Sequence, residues 1–492
     1  MADDAVRAPE ISRPGMEWFN ISAPLSLDNV RGKLLILDFW TTCCINCMHV
    51  LSSLRRVEEA FPEEVVVIGV HSPKFAAERN AANLREAIAR YGIVHPVVND
   101  PDMILWREFG VRAWPTLMFV SPDGALIGQA PGEPDPELLL HAVGNLVEEA
   151  KISGKLDPST LELVSAPIPD GRFAYPGQLK PLAGAGCAQH WVLADGGHNQ
   201  IVELDDSGAE ITRFGSGEAG LLDGPVEEAQ FNSPQGLIAT PESIFVADTF
   251  NHAIRKIDRA SGAVTTLAGT GVRGPVLNGA VAARQAALAS VWDLELSGSQ
   301  LYFANAGTHQ LGVLDLDSLE VRVLAGTGSE DLQDGPANEA LLAQPSGLAL
   351  SPDGKVLGFA DSETSAIRRL HLDGDGRVET LVGTGLFDFA HANGPLNEAR
   401  FQHPLGLGWL DGTRVLVADS FNSSVRLIDL DEGCVRDFES HEFVCQDATC
   451  LPLAEPAAVI ADGPDRVLVV DTNNHRVVEY RPSENAYRTW TQ

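Results

Sequence analysis

Two cysteines separated by two residues, Cys44 and Cys47, are the part of the sequence best suited to chemistry. An apolar run at residues 34–37 precedes them, and a helix-compatible run at residues 48–60 follows. A strand, a sharp turn and a helix would place both cysteines at the start of the helix, where exposed backbone N–H groups and the helix dipole favour a thiolate. The spacing therefore predicts a redox-active pair, with Cys44 as the exposed nucleophile and Cys47 one helical turn deeper as the resolving thiol.

A carboxylic acid accompanies the two cysteines. Asp38 lies six residues before Cys44, at the end of the predicted strand. Burying a carboxyl group is costly unless the group is used or neutralised. We therefore expect Asp38 to manage protons for Cys47 during thiol–disulfide exchange.

These residues resemble the thioredoxin superfamily, whose pattern is a buried Asp, then Phe-Trp, then Cys-x-x-Cys. Here that pattern comprises Asp38, Trp40 and the cysteine pair, and the run Trp114-Pro115-Thr116 matches the second family mark, a cis-proline before a strand. The resemblance covers roughly residues 14–150 and implies an α/β thioredoxin-like domain over residues 1–150. It also implies that Pro115 is cis, faces the cysteines and offers a backbone edge to the substrate.

Two departures from the family pattern leave alternatives open. The residues between the cysteines are Ile45 and Asn46, so no redox potential can be carried over from the family. An additional cysteine, Cys43, precedes the nucleophile and is either a silent buried thiol or a third redox partner. Trp114 belongs either to the core or to the rim of a substrate site. Trp40 is a further auxiliary candidate by its place in the motif.

A zinc site is the competing interpretation of this cluster. Its ligands would be Cys43, Cys44, Cys47 and His49. Adjacent cysteines seldom both reach one ion, and Pro115 favours the redox interpretation. We therefore expect no metal, and the recurring Gly-Thr-Gly runs lack the Lys and the following helix of a phosphate loop, so we expect no cofactor.

The rest of the chain contains an internal repeat with a period near fifty residues. In each copy a hydrophobic run ends in Ala-Asp or a near match, and a repeat of this size is typical of a propeller blade. The six markers are Asp195, Asp248, Asn305, Asp361, Asp419 and Asp471. They predict an all-β six-bladed propeller over residues 173–492, after a Pro- and Ser-rich linker at residues 151–172.

The runs Asp-Thr-Phe-Asn-His from Asp248 and Asp-Thr-Asn-Asn-His from Asp471 resemble NHL repeats. A thioredoxin-like domain followed by such a propeller resembles the NHL repeat-containing protein 2 family. We expect each marker aspartate to accept backbone N–H bonds from the turn after its strand. We expect three arginines that follow the markers to pair with carboxylates of the neighbouring blade: Arg255, Arg368 and Arg426.

Composition narrows the range of partners. The net charge of −33 repels nucleic-acid phosphates and anionic membranes, so we expect neither as a partner. The first residues lack a secretory pattern, and no apolar run approaches the ~20 residues of a membrane span. Seven cysteines, an odd number, fit a reducing compartment, so we expect a cytoplasmic protein. Cys445 and Cys450 are interpreted as free thiols or a fortuitous pair.

Two functional hypotheses follow from these patterns. The first is a thiol-disulfide oxidoreductase that acts on a protein or peptide disulfide, with a protein partner recruited on one face of the propeller. The alternative is a non-catalytic binding scaffold or redox sensor with a vestigial thioredoxin domain. A peroxidase-like variant of the cysteine chemistry is a third, weaker hypothesis.

Overall fold

A computed structural model describes residues 6–157, 159–164, 168–182, 189–374, 376–438 and 451–492. The chain divides into two compact units, residues 1–168 and residues 169–492. Cys187, Cys445 and Cys450 lie outside the described residues, so the expectation for the last two is not addressed. Among the helices of the described ranges, none is long and apolar enough to cross a membrane.

The first unit is an α/β domain built on one six-stranded sheet. Its strands are β1 (Trp18–Phe19), β2 (Leu34–Trp40), β3 (Val65–His71), β4 (Val97–Asn99), β5 (Thr116–Val120) and β6 (Leu126–Pro131). Its helices are α1 (Ile45–Ala60), α2 (Ala81–Arg90), α3 (Ile104–Glu108) and α4 (Pro136–Ile152). The strand order is β1-β4-β3-β2-β5-β6, with β2 parallel to β3 and antiparallel to β5.

The central strands are buried on both faces, as their unbroken apolar runs predict. One face packs against α1 and α4 through Val50, Leu54 and Val143. The other packs against α3 and the N-terminal segment, with Phe39 and Leu105 in its core. β2 is a central strand and leads directly into α1. The turn between them is therefore fixed at both ends by elements that pack in the core.

The second unit consists of six antiparallel sheets, each built from consecutive strands. Blade 1 contains the strands Pro176–Leu182, His190–Asp195, Gln200–Asp205 and Glu210–Phe214. Blade 2 contains Gly236–Ala239, Ser243–Asp248, Ala253–Asp258 and Val264–Ala268. Blade 3 contains Ala280–Ala282, Val291–Ser297, Gln300–Asn305, Gln310–Asp315 and Glu320–Ala325. Blade 4 contains the strands Gly335–Pro336, Pro345–Leu350, Val356–Asp361, Ala366–His371 and Arg377–Val382. Blade 5 contains Gly394–Pro395, Gly406–Trp409, Arg414–Asp419, Ser424–Asp429 and Cys434–Asp437. Blade 6 contains Pro456–Ala461, Val467–Asp471, Arg476–Arg481 and Ala486–Thr491.

The ring closes between blades 6 and 1. The innermost strand of blade 6 contacts that of blade 1, as the innermost strands of consecutive blades do elsewhere. A repeated hydrogen bond also joins neighbours: the hydroxyl of Thr249 donates to the Val291 carbonyl, and the hydroxyl of Thr472 donates to the Pro176 carbonyl. The prediction of a six-bladed all-β propeller is therefore confirmed.

The marker aspartates are fully buried and accept backbone N–H bonds, but from a different segment than expected. The Oδ1 atom of Asp248 accepts from Asn232 N at 2.7 Å, and Asp361 Oδ1 accepts from Ala343 N at 2.7 Å. These donors precede the innermost strand of the blade. Each of these two marker aspartates thus fixes the segment that leads into the innermost strand of its own blade.

The prediction for the three arginines was wrong about their partner. Arg255 Nη1 lies 2.7 Å from Asp248 Oδ2, within the same blade, and Arg255 Nη2 lies 2.9 Å from Asp223 in the preceding loop. Arg368 and Arg426 repeat the contact with their own marker aspartates at 2.7 and 2.9 Å. The hairpin register explains it, because Arg255 is paired with Val246, two residues before the aspartate.

Candidate redox-active site

The Cys44 sulfur lies at the N-terminus of α1. Cys44 is the N-cap residue, with extended backbone angles, and its Sγ accepts a hydrogen bond from Cys47 N at 3.2 Å. Cys44 is half-buried, whereas Cys47 is fully buried. A helix N-terminus stabilises negative charge on the group that caps it. Cys44 therefore combines solvent access with a site that favours its thiolate.

Cys47 is positioned to act only after Cys44. Burial raises the pKa of the Cys47 thiol well above its ordinary value, and Cys44 and Asp38 act in the same direction. Cys47 consequently stays protonated until a base takes its proton.

Asp38 is a fully buried carboxyl group. Among the described residues, neither of its oxygens has a hydrogen-bond partner. Burial raises the pKa of Asp38 to about 7, although the nearby His95 acts to lower it. Such a carboxyl exchanges protons near neutral pH, and it acts electrostatically on Cys47.

Pro115 directly precedes β5, the strand that pairs with β2. The Trp114–Pro115 peptide bond is cis, as expected. The Pro115 carbonyl accepts from Gly132 N at 2.8 Å, so it is already engaged within the domain. The Trp114 indole is half-buried, donates to the Ser72 carbonyl at 2.9 Å and lies 4.4 Å from the Trp106 ring. Trp114 therefore packs in the domain and keeps part of its surface exposed.

Glu78 is a site residue that the sequence reasoning missed. One carboxylate oxygen accepts from the Thr41 and Thr42 hydroxyls, both at 2.6 Å, and from Cys43 N at 3.0 Å. The other oxygen accepts from the backbone N–H groups of Lys74 and Phe75 at 2.9 and 2.8 Å. This buried carboxylate fixes the turn that presents Cys44. Its only signal in the sequence is a Glu within the insertion between β3 and β4.

The remaining auxiliary candidates are packed into the domain. Cys43 is 5% exposed, and Trp40 is fully buried with its ring 5.2 Å from that of His71. His49 Nδ1 lies 2.9 Å from Glu133 Oε2. Within the part of the chain that the structure describes, no three His, Cys, Asp or Glu side chains are grouped as metal ligands would be.

Comparisons with known proteins match both units. A family model described as Thioredoxin-like matches residues 32–126. NHL repeat-containing protein 2 of Gallus gallus is 35% identical over 507 residues, which covers 95% of this chain and 69% of that protein. The chain belongs to the NHL repeat-containing protein 2 family.

Two further relatives match most of this family member and about a quarter of it, respectively. Protein SUPPRESSOR OF QUENCHING 1, chloroplastic, of Arabidopsis thaliana is 37% identical over 480 residues, covering 93% of this chain and 45% of that protein. Thiol-disulfide oxidoreductase ResA of Bacillus subtilis is 26% identical over 133 residues, covering 26% of this chain and 70% of that protein. The thioredoxin-like domain thus has homologues among thiol-disulfide oxidoreductases.

Proposed function

We propose that this member of the NHL repeat-containing protein 2 family is a thiol-disulfide oxidoreductase. The observation that carries the proposal is the asymmetry of the cysteine pair. The Cys44 sulfur caps α1 and is partly exposed, while Cys47 is buried one turn deeper beside an unpaired carboxyl group. That arrangement supports a nucleophile and a resolving thiol.

The reaction would proceed in two exchanges. The Cys44 thiolate attacks one sulfur of a substrate disulfide, and the other substrate sulfur leaves as a thiolate that takes a proton from solvent. The Cys47 thiol then gives its proton to Asp38 and attacks the Cys44 sulfur. The second substrate thiolate leaves and is protonated. Two electrons have moved to the substrate, and a dithiol reductant restores the Cys44–Cys47 pair.

The other predicted residues would have positioning roles. Pro115 would limit the approach of the substrate backbone beside the cysteines, with Trp114 at its exposed edge. Glu78 would hold the turn that carries Cys44, because five donors converge on its two oxygens. Cys43 would be a buried thiol outside the reaction, since its backbone is held by Glu78.

The propeller would recruit the protein or peptide that carries the substrate disulfide. Loops between blades expose large apolar side chains, including Val272 at 69% and Phe387 at 72% exposure. Exposed apolar side chains on such loops are available for contact with a partner protein. The net charge of −33 suits a partner that carries positive charge.

Turnover with a protein disulfide tests this proposal. The full-length chain should reduce insulin with a dithiol as the final reductant, and Cys44→Ser should abolish the reaction. Cys47→Ser should instead accumulate a mixed disulfide at Cys44. Equal turnover in the wild type and in Cys44→Ser would remove the proposal. A Cys44–Cys47 couple that does not cycle against glutathione would favour the scaffold hypothesis.

A further inference from the structure

Among the buried polar groups of the thioredoxin-like domain that lack a hydrogen-bond partner within the described residues, three belong to residues close to Gly69. They are the carboxyl oxygens of Asp38, the indole nitrogen of Trp40 and Nε2 of His95. Asp38 and Trp40 are fully buried, and His95 is 4% exposed. Orphaned groups in a domain interior call for a physical explanation, because a buried polar group left unpaired destabilises the fold.

The three groups lie around one glycine. Gly69 in β3 is the residue paired with Asp38 in β2. A methyl group built on Gly69 would lie 3.0 Å from Trp40 Nε1 and 3.5 Å from His95 Nε2. Asp38 and Trp40 are two residues apart in the strand, so their side chains share a face of the sheet. The missing side chain of Gly69 thus allows both nitrogens to approach the face that bears Asp38.

The other nitrogen of His95 points toward the surface. His95 Nδ1 lies 3.5 Å from the Glu58 carboxylate on α1, and the Glu58 side chain is 23% exposed. The loop that carries His95 is fixed, because Asn20 Nδ2 donates to the carbonyls of Ile93 and His95 at 2.7 and 3.0 Å. His95 therefore stands between a buried acid and a partly exposed one.

We propose that His95 is a proton relay between Asp38 and Glu58, and that a bound water joins Asp38, Trp40 Nε1 and His95 Nε2. This inference rests on the proposed oxidoreductase function. When Cys47 attacks, its proton passes to the Asp38 carboxylate and then through the water to His95 Nε2. His95 gives up the proton on Nδ1 to Glu58, which releases it to solvent. Each group regains its starting charge, and the reverse path returns a proton when Cys47 is reduced.

The physical chemistry of the site favours this route. Three polar groups without other partners would supply the hydrogen bonds that a buried water usually makes. Imidazole can accept a proton on one nitrogen while it releases one from the other. The titratable groups that act on Asp38 or feel its charge are His95 and Cys47, and Glu58 lies against His95. Both Cys47 and Asp38 are fully buried, so the Cys47 proton needs a relay to reach solvent.

The test separates the two cysteine steps with an aromatic disulfide that releases a coloured thiolate. The attack by Cys44 releases the first equivalent and the attack by Cys47 releases the second, in stopped-flow measurements on the full-length chain. Cys44→Ser should remove both phases and Cys47→Ser only the second. If Cys44→Ser retained both phases, the proposed function itself would fail, whatever the relay variants do.

The relay concerns the second phase alone. His95→Gln should slow it about tenfold near pH 7, Glu58→Gln about threefold, and neither should change the first phase more than about twofold. The exposed His141 on α4 supplies a matched control, and His141→Gln should leave both phases unchanged.

A purely structural role for His95 gives a different pattern. Added imidazole should restore part of the second phase in His95→Ala, which a folding defect would not permit. The proposal is overturned if the second phase of His95→Gln stays within about twofold of the wild type from pH 6 to 9. It is also overturned if both phases slow equally and imidazole restores neither.

Discussion

Asp38 and Asp248 are the same residue type, each in a buried strand, yet their surroundings are opposite. Both are fully buried. Asp248 accepts from Asn232 N at 2.7 Å, from Asn251 Nδ2 at 2.8 Å and from Arg255 Nη1 at 2.7 Å. Asp38 has no hydrogen-bond partner among the described residues. The propeller neutralises its buried acid, and the thioredoxin-like domain leaves its acid available.

The propeller also shows what happens when the cation is lost. In blade 3 the marker is Asn305, and the position that matches Arg255 is Gly312. Gln310 lies beside Thr308, which bonds Asn305 Nδ2, so neutral groups replace the charged pair.

Blades 1 and 6 also lack an arginine at that position, but their markers Asp195 and Asp471 are paired with Arg213 and Arg476 at 2.6 and 2.8 Å. An aspartate marker is thus kept in the blades where an arginine reaches it, as the cost of an unpaired buried charge requires. The buried aspartate markers of the propeller are paired with arginines, whereas Asp38 has no partner among the described residues. This difference indicates that Asp38 is a reactive group.

The largest effect should come from making Asp248 resemble Asp38. Arg255→Met leaves the Asp248 carboxyl buried without its cation, and it also removes the bonds to the Gln230 and Leu222 carbonyls. We expect a loss of about 3–5 kcal/mol in the free energy of unfolding. Chemical denaturation measures it, with the exposed Arg322→Met as a control. A loss below about 1 kcal/mol would mean that the pair is not what neutralises Asp248.

Replacing the unpaired Asp38 with a neutral amide should stabilise the thioredoxin-like domain. The Asp38 pKa is raised from 3.8 to about 7, so the folded state holds its proton over that interval and stability falls as the pH rises through it. Asp38→Asn should therefore give no gain below about pH 4 and up to about 4 kcal/mol above about pH 7. Denaturation across this pH range measures the gain. A gain independent of pH would contradict the raised pKa.

Glu78 is a satisfied acid inside the reactive site, and it sharpens the comparison. In Glu78→Gln an amide N–H₂ replaces one acceptor oxygen, so it faces either the Lys74 and Phe75 N–H groups or the donors of the Cys44 turn. We expect a loss of about 1–3 kcal/mol in stability and a slower attack by Cys44. Denaturation and the first phase of thiolate release measure the two effects. The exposed Glu148→Gln should change neither, and an unchanged Cys44 rate in Glu78→Gln would remove its positioning role.

The smallest effect should come from filling the space beside Asp38. A methyl group on Gly69 would lie 3.0 Å from Trp40 Nε1 and 3.2 Å from Val97 Cγ2, so Gly69→Ala should cost about 1 kcal/mol through overpacking. It should also slow the attack by Cys47, because the polar groups around Asp38 are pushed apart. Gly128→Ala in β6 is the control, since its methyl group meets no atom within 4 Å. Equal rates in both variants would place the Gly69 space outside the reaction.

The fold was predictable because its signals are periodic. The strand before Asp38, the cysteine spacing and the proline before Thr116 are local patterns, and the six markers recur at a regular interval. The partners of the arginines were also accessible in principle. A tight hairpin after Asp248 places Arg255 beside it on the next strand, and the register alone would have favoured the same blade.

The supports of the site were not predictable in this way. Glu78 and His95 lie in the segment between β3 and β4, and neither has a motif or a fixed spacing to the cysteine pair. Their roles depend on which side chains meet in the folded domain and on which polar atoms remain unpaired. That Asp38 has no hydrogen-bond partner within the described part of the chain is likewise a property of packing, which the sequence pattern does not encode.

The most direct test is the rate at which Cys47 releases the second thiolate in Asp38→Asn. Asparagine keeps the shape of the side chain but cannot take a proton, so this phase should slow about a hundredfold while the Cys44 phase is unchanged. Asp248→Asn should leave both phases as in the wild type. A Cys47 phase in Asp38→Asn that matches the wild type would contradict a catalytic use for the unpaired carboxyl group.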